Sequence, residues 1–176
     1  MRKVLLSVTI LFLLTLGAFG QVTTEKLKIV WPEEYKWKIA ADWESGYVRT
    51  LELTPENEKN NKWTSKGTMM KIWGATDVPM DNVMTRMFEA VKPNAPNATV
   101  TLIEKNEDGE NHWIIFKIEA PRHNDNKKPQ SELHYVIQGQ SSLFSNFVSV
   151  KEKTLSEEFI KKWKLIFKGS QLAWEE

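Results

Sequence analysis

Two short stretches of the sequence hold the side chains best suited to chemistry. The first, Arg122-His123-Asn124-Asp125, gathers a guanidinium, an imidazole and a carboxylate. The second holds His134 in an alternating stretch typical of a strand. The first stretch is the stronger candidate for ligand binding, because such residues are concentrated on exposed loops. His134 alternates with core residues, so we expect it to make a structural hydrogen bond.

No catalytic or metal-binding motif accompanies these residues. The chain has no G-x-S-x-G nucleophile elbow, no H-E-x-x-H metal motif and no glycine-rich phosphate loop. Too few metal ligands lie close together in sequence. We therefore predict no catalytic residue, no metal and no cofactor, and we take Arg122, His123 and Asp125 as binding residues. A solvated connector is the alternative for this loop.

Tryptophan is abundant, with eight residues in the chain. Trp37, Trp113 and Trp163 fall at predicted core positions, which accounts for part of this number. Trp43 falls at a predicted turn, where its ring could stack on a ligand, so we add it to the candidate binding residues. A carbohydrate-binding module is accordingly one alternative function.

The elements that would position these residues follow from the hydrophobic pattern. Alternation and turn residues predict a series of strands paired as hairpins. An apolar stripe beyond Pro79 predicts a helix, which Asp77 or Asp81 would cap and Pro93 would stop. The predicted strands are 35–39, 47–53, 68–73, 100–104, 113–118, 132–139 and 143–150.

A second helix is predicted near the carboxyl end. Thr154 followed by Glu157 forms a capping box at its start, and Gly169 can close it. Its apolar face includes Phe159 and Trp163. We expect this face to cover the sheet, although a membrane-surface helix is the alternative.

The amino terminus has the pattern of a signal peptide. Arg2 and Lys3 precede a short apolar run, and Ala18-Phe19-Gly20 is a small-x-small cleavage site. We expect residues 1–20 to be removed before Gln21. The mature protein would be periplasmic or secreted, with no integral membrane anchor.

Composition narrows the possible partners. Removal of the two basic residues of the signal peptide leaves 22 basic and 23 acidic residues, a net charge of −1. This balance argues against a nucleic-acid partner, which requires a basic surface. The absence of cysteine excludes disulfides, so the core alone must hold the fold.

The order of these elements resembles that of the PsbP/Mog1-like domains. Short matches are Trp63-Thr64 at the end of a polar loop, Leu133-His134-Tyr135-Val136-Ile137-Gln138-Gly139 in a strand, and Glu157-Glu158-Phe159-Ile160-Lys161-Lys162-Trp163 in the last helix. The resemblance implies a single α+β domain over residues 21–176, folded as a three-layer α/β/α sandwich around a mainly antiparallel sheet. Members serve as assembly factors, subunits and interaction modules, so the resemblance implies binding more than catalysis.

Together these features predict an exported, non-catalytic binding or assembly module. Its partner would be another envelope protein or a small ligand. A small secreted hydrolase or ligand-processing enzyme with site residues dispersed along the chain is the main alternative.

Export should shorten the protein by its first 20 residues. We expect protein recovered outside the cytoplasm to have the intact mass of residues 21–176, as measured by mass spectrometry. A mass equal to that of the full chain would contradict the predicted cleavage.

Overall fold

The computed structural model describes residues 24–58 and 62–175. The predicted signal peptide therefore lies outside the described residues, as do residues 59–61 of the predicted loop after Pro55. The described chain contains nine strands, two α-helices and a short 3-10 helix at Glu33–Tyr35. The strands and helices are β1 (Thr24–Lys28), β2 (Trp37–Ser45), β3 (Val48–Pro55), β4 (Ser65–Trp73), α1 (Met80–Val91), β5 (Thr99–Asn106), β6 (Trp113–Ala120), β7 (Gln130–Gln138), β8 (Ser142–Val150), α2 (Glu157–Lys168) and β9 (Gln171–Glu175).

Seven of the strands form one antiparallel sheet in the order β2-β3-β4-β8-β7-β6-β5. β1 and β9 pair antiparallel to make a separate two-stranded sheet. Strands β6, β7 and β8 carry buried residues at nearly every position, because both of their faces are covered.

One face of the large sheet, here called the α1 face, packs against α1. Ile114 and Phe116 of β6 are fully buried there. Met80 and Val83 of α1 pack in the same cluster. Successive strand residues point to opposite sides, so Ile115 belongs to the core on the other face.

The other face, here called the α2 face, packs against α2 and the small sheet. Tyr135 of β7 stacks on Phe167 of α2 with ring centroids 5.5 Å apart, and Trp163 beside them is fully buried. Leu27 of β1 lies in the same cluster. The prediction that the last helix packs on the core is therefore confirmed.

The predicted three-layer α/β/α sandwich is wrong. The described chain is mostly strand, and each of its two helices has only 12 residues. On the α2 face a second sheet, β1–β9, lies on the large sheet beside the helix, which makes the fold β-sandwich-like. Neither strand of this second sheet was predicted from the sequence, because each has five residues and pairs with a segment at the opposite end of the described chain.

Most of the predicted elements are present with shifted boundaries. The hairpins β2–β3, β5–β6 and β7–β8 are confirmed, and so are β4 and α1. The predicted caps of α1 are wrong, because Pro79 holds the N-cap position and neither Asp77 nor Asp81 caps the helix. Within the described residues, no helix is long and apolar enough to span a bilayer.

The predicted capping box at Thr154 is also wrong, because α2 begins two residues later than it requires. Ser156 is the N-cap, and its Oγ accepts a hydrogen bond from the N–H of Phe159 at 3.2 Å. Leu155 explains the shift. Its side chain is buried and its N–H donates to Glu119 Oε1 at 2.8 Å, which holds the chain out of the helix at this point.

Replacing Trp163 by alanine should lower the free energy of unfolding by about 3–5 kcal/mol, because a fully buried ring would leave a cavity. Leu165 lies on the same helix and is 64% exposed, so Leu165→Ala is the matched control. It should change stability by less than about 0.5 kcal/mol. Urea unfolding of the mature variants measures both. Equal effects would contradict the packing of α2 on the sheet.

Candidate functional site

The loop predicted to bind a ligand connects β6 to β7 and is fixed to the end of α1. The N–H of Asn124 donates to the carbonyl of Asn94 at 2.6 Å, and its side-chain amide donates to the carbonyl of Pro93 at 3.2 Å. Within the loop, the N–H of His123 donates to the carbonyl of Lys128 at 2.9 Å. These bonds hold the loop beside α1, so it can form the wall of a site.

Only one of the three predicted loop residues reaches a cavity. His123 is half-buried and lines it, whereas Arg122 and Asp125 are exposed and do not. The fourth predicted residue, Trp43, lies in the edge strand β2 and not in a turn, with 45% of its surface exposed. Three strands separate β2 from β7, so Trp43 belongs to a different region from the loop.

The cavity that His123 lines, here called the α1-face cavity, has a volume of about 180 Å³. It lies between the end of α1, the loop, and strands β6 and β7. Half of its lining residues are apolar, and its polar groups are a carboxylate, two amides and the imidazole. The lining residues are Ala90, Val91, Asn94, Ile118, Ala120, His123, Gln130 and Glu132.

The carboxylate belongs to Glu132, which is the centre of a hydrogen-bond network. Its Oε1 accepts from Gln130 Nε2 at 2.7 Å and from Ser149 Oγ at 3.0 Å, while Oε2 lies 3.0 Å from His134 Nε2. Gln130, Glu132 and His134 alternate along β7, and Ser149 is directly opposite Glu132 on β8. Strand geometry therefore places all four side chains on one face.

This network was missed in the sequence, although part of its signal is present there. Residues two apart in a strand share a face, so the spacing Gln130-x-Glu132-x-His134 could have identified three of its members. Ser149 could not be found this way, because its position depends on the register between β7 and β8. The prediction that His134 makes a hydrogen bond within the sheet is confirmed.

The charge state of Glu132 is set by these partners. Burial alone would raise the pKa of its carboxyl group. The hydrogen bond and charge of His134, together with the hydrogen bonds from Gln130 and Ser149, lower that pKa to about 2. The carboxylate is therefore ionised at neutral pH, with 13% of its side chain exposed.

His134 supports the carboxylate from within the core. Its ring is stacked on Phe116 with centroids 4.7 Å apart and planes 2° apart, and it contacts Phe147 on the other side. Its Nδ1 is buried and has no hydrogen-bond partner among the described residues. Among the described residues, Glu132 is the one hydrogen-bond partner of this ring.

The arrangement of serine, glutamate and histidine is poorly suited to nucleophilic catalysis. Ser149 Oγ donates to Glu132 and not to His134, so the histidine cannot take its proton. Ser149 is fully buried and cannot reach a substrate. A carboxylate with a pKa of about 2 is also a weak base at neutral pH.

Binding is the chemistry that this geometry favours. Among the described residues no group of three or more histidine, aspartate and glutamate side chains could hold a metal ion. A single ionised carboxylate below apolar walls instead suits an organic cation. In comparisons with known proteins, neither a protein-family model nor a curated protein matches the chain. The PsbP/Mog1-like resemblance therefore stays a prediction.

The lowered pKa of Glu132 predicts a specific dependence of stability on pH. The folded state holds this carboxylate at a pKa of about 2, below its ordinary 4.5, so its contribution is complete above pH 4.5 and is lost as the pH falls toward 2. The Glu132→Gln variant has no carboxylate at this position, so it lacks this contribution to stability. The difference in melting temperature between the wild type and Glu132→Gln should therefore shrink from pH 7 to pH 3.

Glu110→Gln, in the exposed β5–β6 turn, is the matched control. Thermal melts at several pH values give the melting temperatures of the wild type, Glu132→Gln and Glu110→Gln. The wild type and this control should stay close together throughout. A gap between the wild type and Glu132→Gln that is constant or that widens in acid would contradict the assigned charge state.

Proposed function

We propose that the protein is an exported, non-catalytic binding module whose α1-face cavity takes the ammonium group of a small organic amine. One observation carries this proposal: the ionised carboxylate of Glu132 lines the cavity, and among the described residues its one ion-pair partner is His134, which is charged only when it is protonated. A largely buried charge is costly unless an opposite charge compensates for it. A bound ammonium group would supply that charge.

The hydrogen bonds of Glu132 leave room for a ligand. A carboxylate has about four acceptor positions, and its three neighbours occupy three of them. The fourth, on Oε2, is available to an N–H donor. His123 and Asn94 line the same cavity and can bind a further polar group of the ligand.

The size of the cavity restricts the amine. At about 30 Å³ for each group of the size of a water molecule, a volume of about 180 Å³ holds a ligand of about six heavy atoms. A short alkyl chain would lie against Val91 and Ile118. No phenylalanine, tyrosine or tryptophan lines the cavity, which gives the carbohydrate-binding alternative little support at this site.

Export and a role in binding also have support from the sequence. The signal-peptide pattern of residues 1–20 supports export, and the PsbP/Mog1-like resemblance implies interaction modules. An envelope protein could present the amine, for instance as a lysine side chain, whose end is of the same size. The small amine and the protein-bound amine share the ammonium group that Glu132 would bind.

Titration of mature protein with butylammonium tests this proposal. NMR spectra should show shifts for the amides around Glu132 and His123 at millimolar concentrations, whereas 1-butanol, which has the same size and no charge, should bind at least about tenfold more weakly. Glu132→Gln should weaken butylammonium binding by a similar factor. His123→Ala should weaken it less, and Arg122→Ala should leave it unchanged.

Glu110→Gln removes the same charge as Glu132→Gln at an exposed position, and this control should bind like the wild type. Equal binding of butanol and butylammonium would contradict the proposal, as would undiminished binding by Glu132→Gln. Failure of butylammonium to bind at tens of millimolar would also contradict it.

A further inference from the structure

A second cavity lies on the α2 face, where β1 passes over strands β3, β4 and β8. Its volume is about 270 Å³, and the large sheet separates it from the α1-face cavity. We call it the β1 groove. Its lining combines apolar side chains with three basic residues and one amide: Lys26, Leu27, Arg49, Leu51, Met69, Met70, Lys71, Phe144 and Asn146.

The three basic residues of the β1 groove differ in their partners. Lys26 forms an ion pair with Glu175, and Arg49 makes two hydrogen bonds with Asp42. Lys71 forms no ion pair with a carboxylate among the described residues. Its ammonium group donates to Thr24 Oγ1 at 2.8 Å and to the main-chain carbonyl of Glu25. An ammonium group has three N–H donors, so these hydrogen bonds leave one N–H of Lys71 without an oxygen acceptor. The same Nζ lies 5.6 and 5.7 Å from the ring centroids of Trp73 and Phe144.

The charges around Lys71 leave the groove short of negative charge. Burial is the largest effect on its pKa and lowers it, while the charge of Glu25 raises it. Lys26 and Arg49 lower the pKa of Lys71 further, because like charges repel. Lys26 and Arg49 already pair with carboxylates, so an anion bound in the groove would be attracted mainly by Lys71.

The second observation is the side chain of Asn146, which has only 1% of its surface exposed. Its Nδ2 is buried and has no hydrogen-bond partner among the described residues. Asn146 lies opposite Met69 on β4, and Lys71 is two residues further along the same face of that strand. A buried amide without a partner is costly and rare, so a ligand that accepts its hydrogen bonds would remove this cost.

We propose that the β1 groove binds the carboxylate of a medium-chain apolar acid, with the free N–H of Lys71 and the amide of Asn146 as donors to its oxygens. The hydrocarbon part lies against Leu27, Leu51 and Phe144. Two oxygens with several lone pairs match the donors that the groove leaves unused. A neutral apolar ligand would leave Asn146 without a partner.

The volume of the groove sets the length of the acid. At about 30 Å³ for each group of the size of a water molecule, about 270 Å³ accommodates about nine heavy atoms. Octanoate, with an eight-carbon chain, is therefore a suitable probe. The groove is open, so the end of the chain can extend into solvent.

Calorimetric titration of mature protein with octanoate, 1-octanol and octylammonium tests the charge requirement. Octanoate should bind at least about tenfold more tightly than 1-octanol, and octylammonium should bind most weakly of the three, because it meets three basic residues. Lys71→Met should weaken octanoate binding at least about tenfold. Lys71→Arg keeps the charge and should retain most of the binding, whereas Lys161→Met, on the exposed side of α2, should retain all of it.

Asn146→Leu separates a binding role from a structural one. It removes a buried amide that has no partner, so the melting temperature should stay the same or rise, while the affinity for octanoate should fall about tenfold. A residue with a merely structural role would lower stability when it is replaced and would not change the preference for octanoate over octanol.

Three results would overturn the proposal: no measurable binding of octanoate, equal binding of octanoate and 1-octanol, or undiminished binding of octanoate by both Lys71→Met and Asn146→Leu. Butylammonium binding at Glu132 is the internal reference. Neither substitution in the groove should change it, so the two proposed sites can fail independently.

Discussion

The carboxylate of Glu25 joins β1 to the turn between β7 and β8. It accepts hydrogen bonds from the N–H groups of Gln140 and Ser141, 2.8 and 2.9 Å away, in the turn between β7 and β8. A side chain at Gly139 would have its Cβ about 2.5 Å from this carboxylate, so glycine is required for the close approach. The contact holds β1 on the α2 face, and the small sheet and the β1 groove both depend on that position.

Aromatic side chains cover the α2 face of the large sheet together with β1. Trp31 lies 5.2 Å from Trp37 and 5.5 Å from Trp163, between ring centroids, and a side chain at Gly67 would overlap its ring. The eight tryptophans of the chain suggested sugar binding as one alternative function. The structure places these three rings in one cluster on the α2 face, where they bury a large apolar area. Much of the excess therefore serves the core.

Polar residues of the sheet have different missing partners on its two faces. On the α1 face, Glu132 has three hydrogen-bond partners and, among the described residues, no ion pair with a lysine or arginine. On the α2 face, within the part of the chain that the structure describes, Asn146 Nδ2 has no hydrogen-bond partner and Lys71 forms no ion pair with a carboxylate. Buried polar groups are normally satisfied, so each deficit indicates the charge of what could bind there. The missing partner of Glu132 would carry a positive charge, whereas the missing partner of Lys71 would carry a negative charge.

Most of the secondary structure could be predicted from local patterns in the sequence. Hydrophobic periodicity and turn residues are local properties, and they were sufficient for both helices and for the hairpins of the large sheet. The loop predicted to bind a ligand contributes His123 to the lining of the α1-face cavity, and its role in binding stays a prediction. The predicted pairing of Thr154 with Glu157 failed because a distant carboxylate, Glu119, fixes the chain just before α2.

The architecture and the neighbours of Glu132 and Lys71 could be found only in the tertiary structure. β1 and β9 are short and partly polar, and they become strands only by pairing with each other across the whole described chain. Ser149 meets Glu132 through the register of β7 and β8, and Lys71 meets Asn146 through that of β4 and β8. These contacts depend on which strands are neighbours in the sheet. Local patterns in the sequence do not reveal that order, because strand pairing depends on how the faces of all strands and helices are buried together.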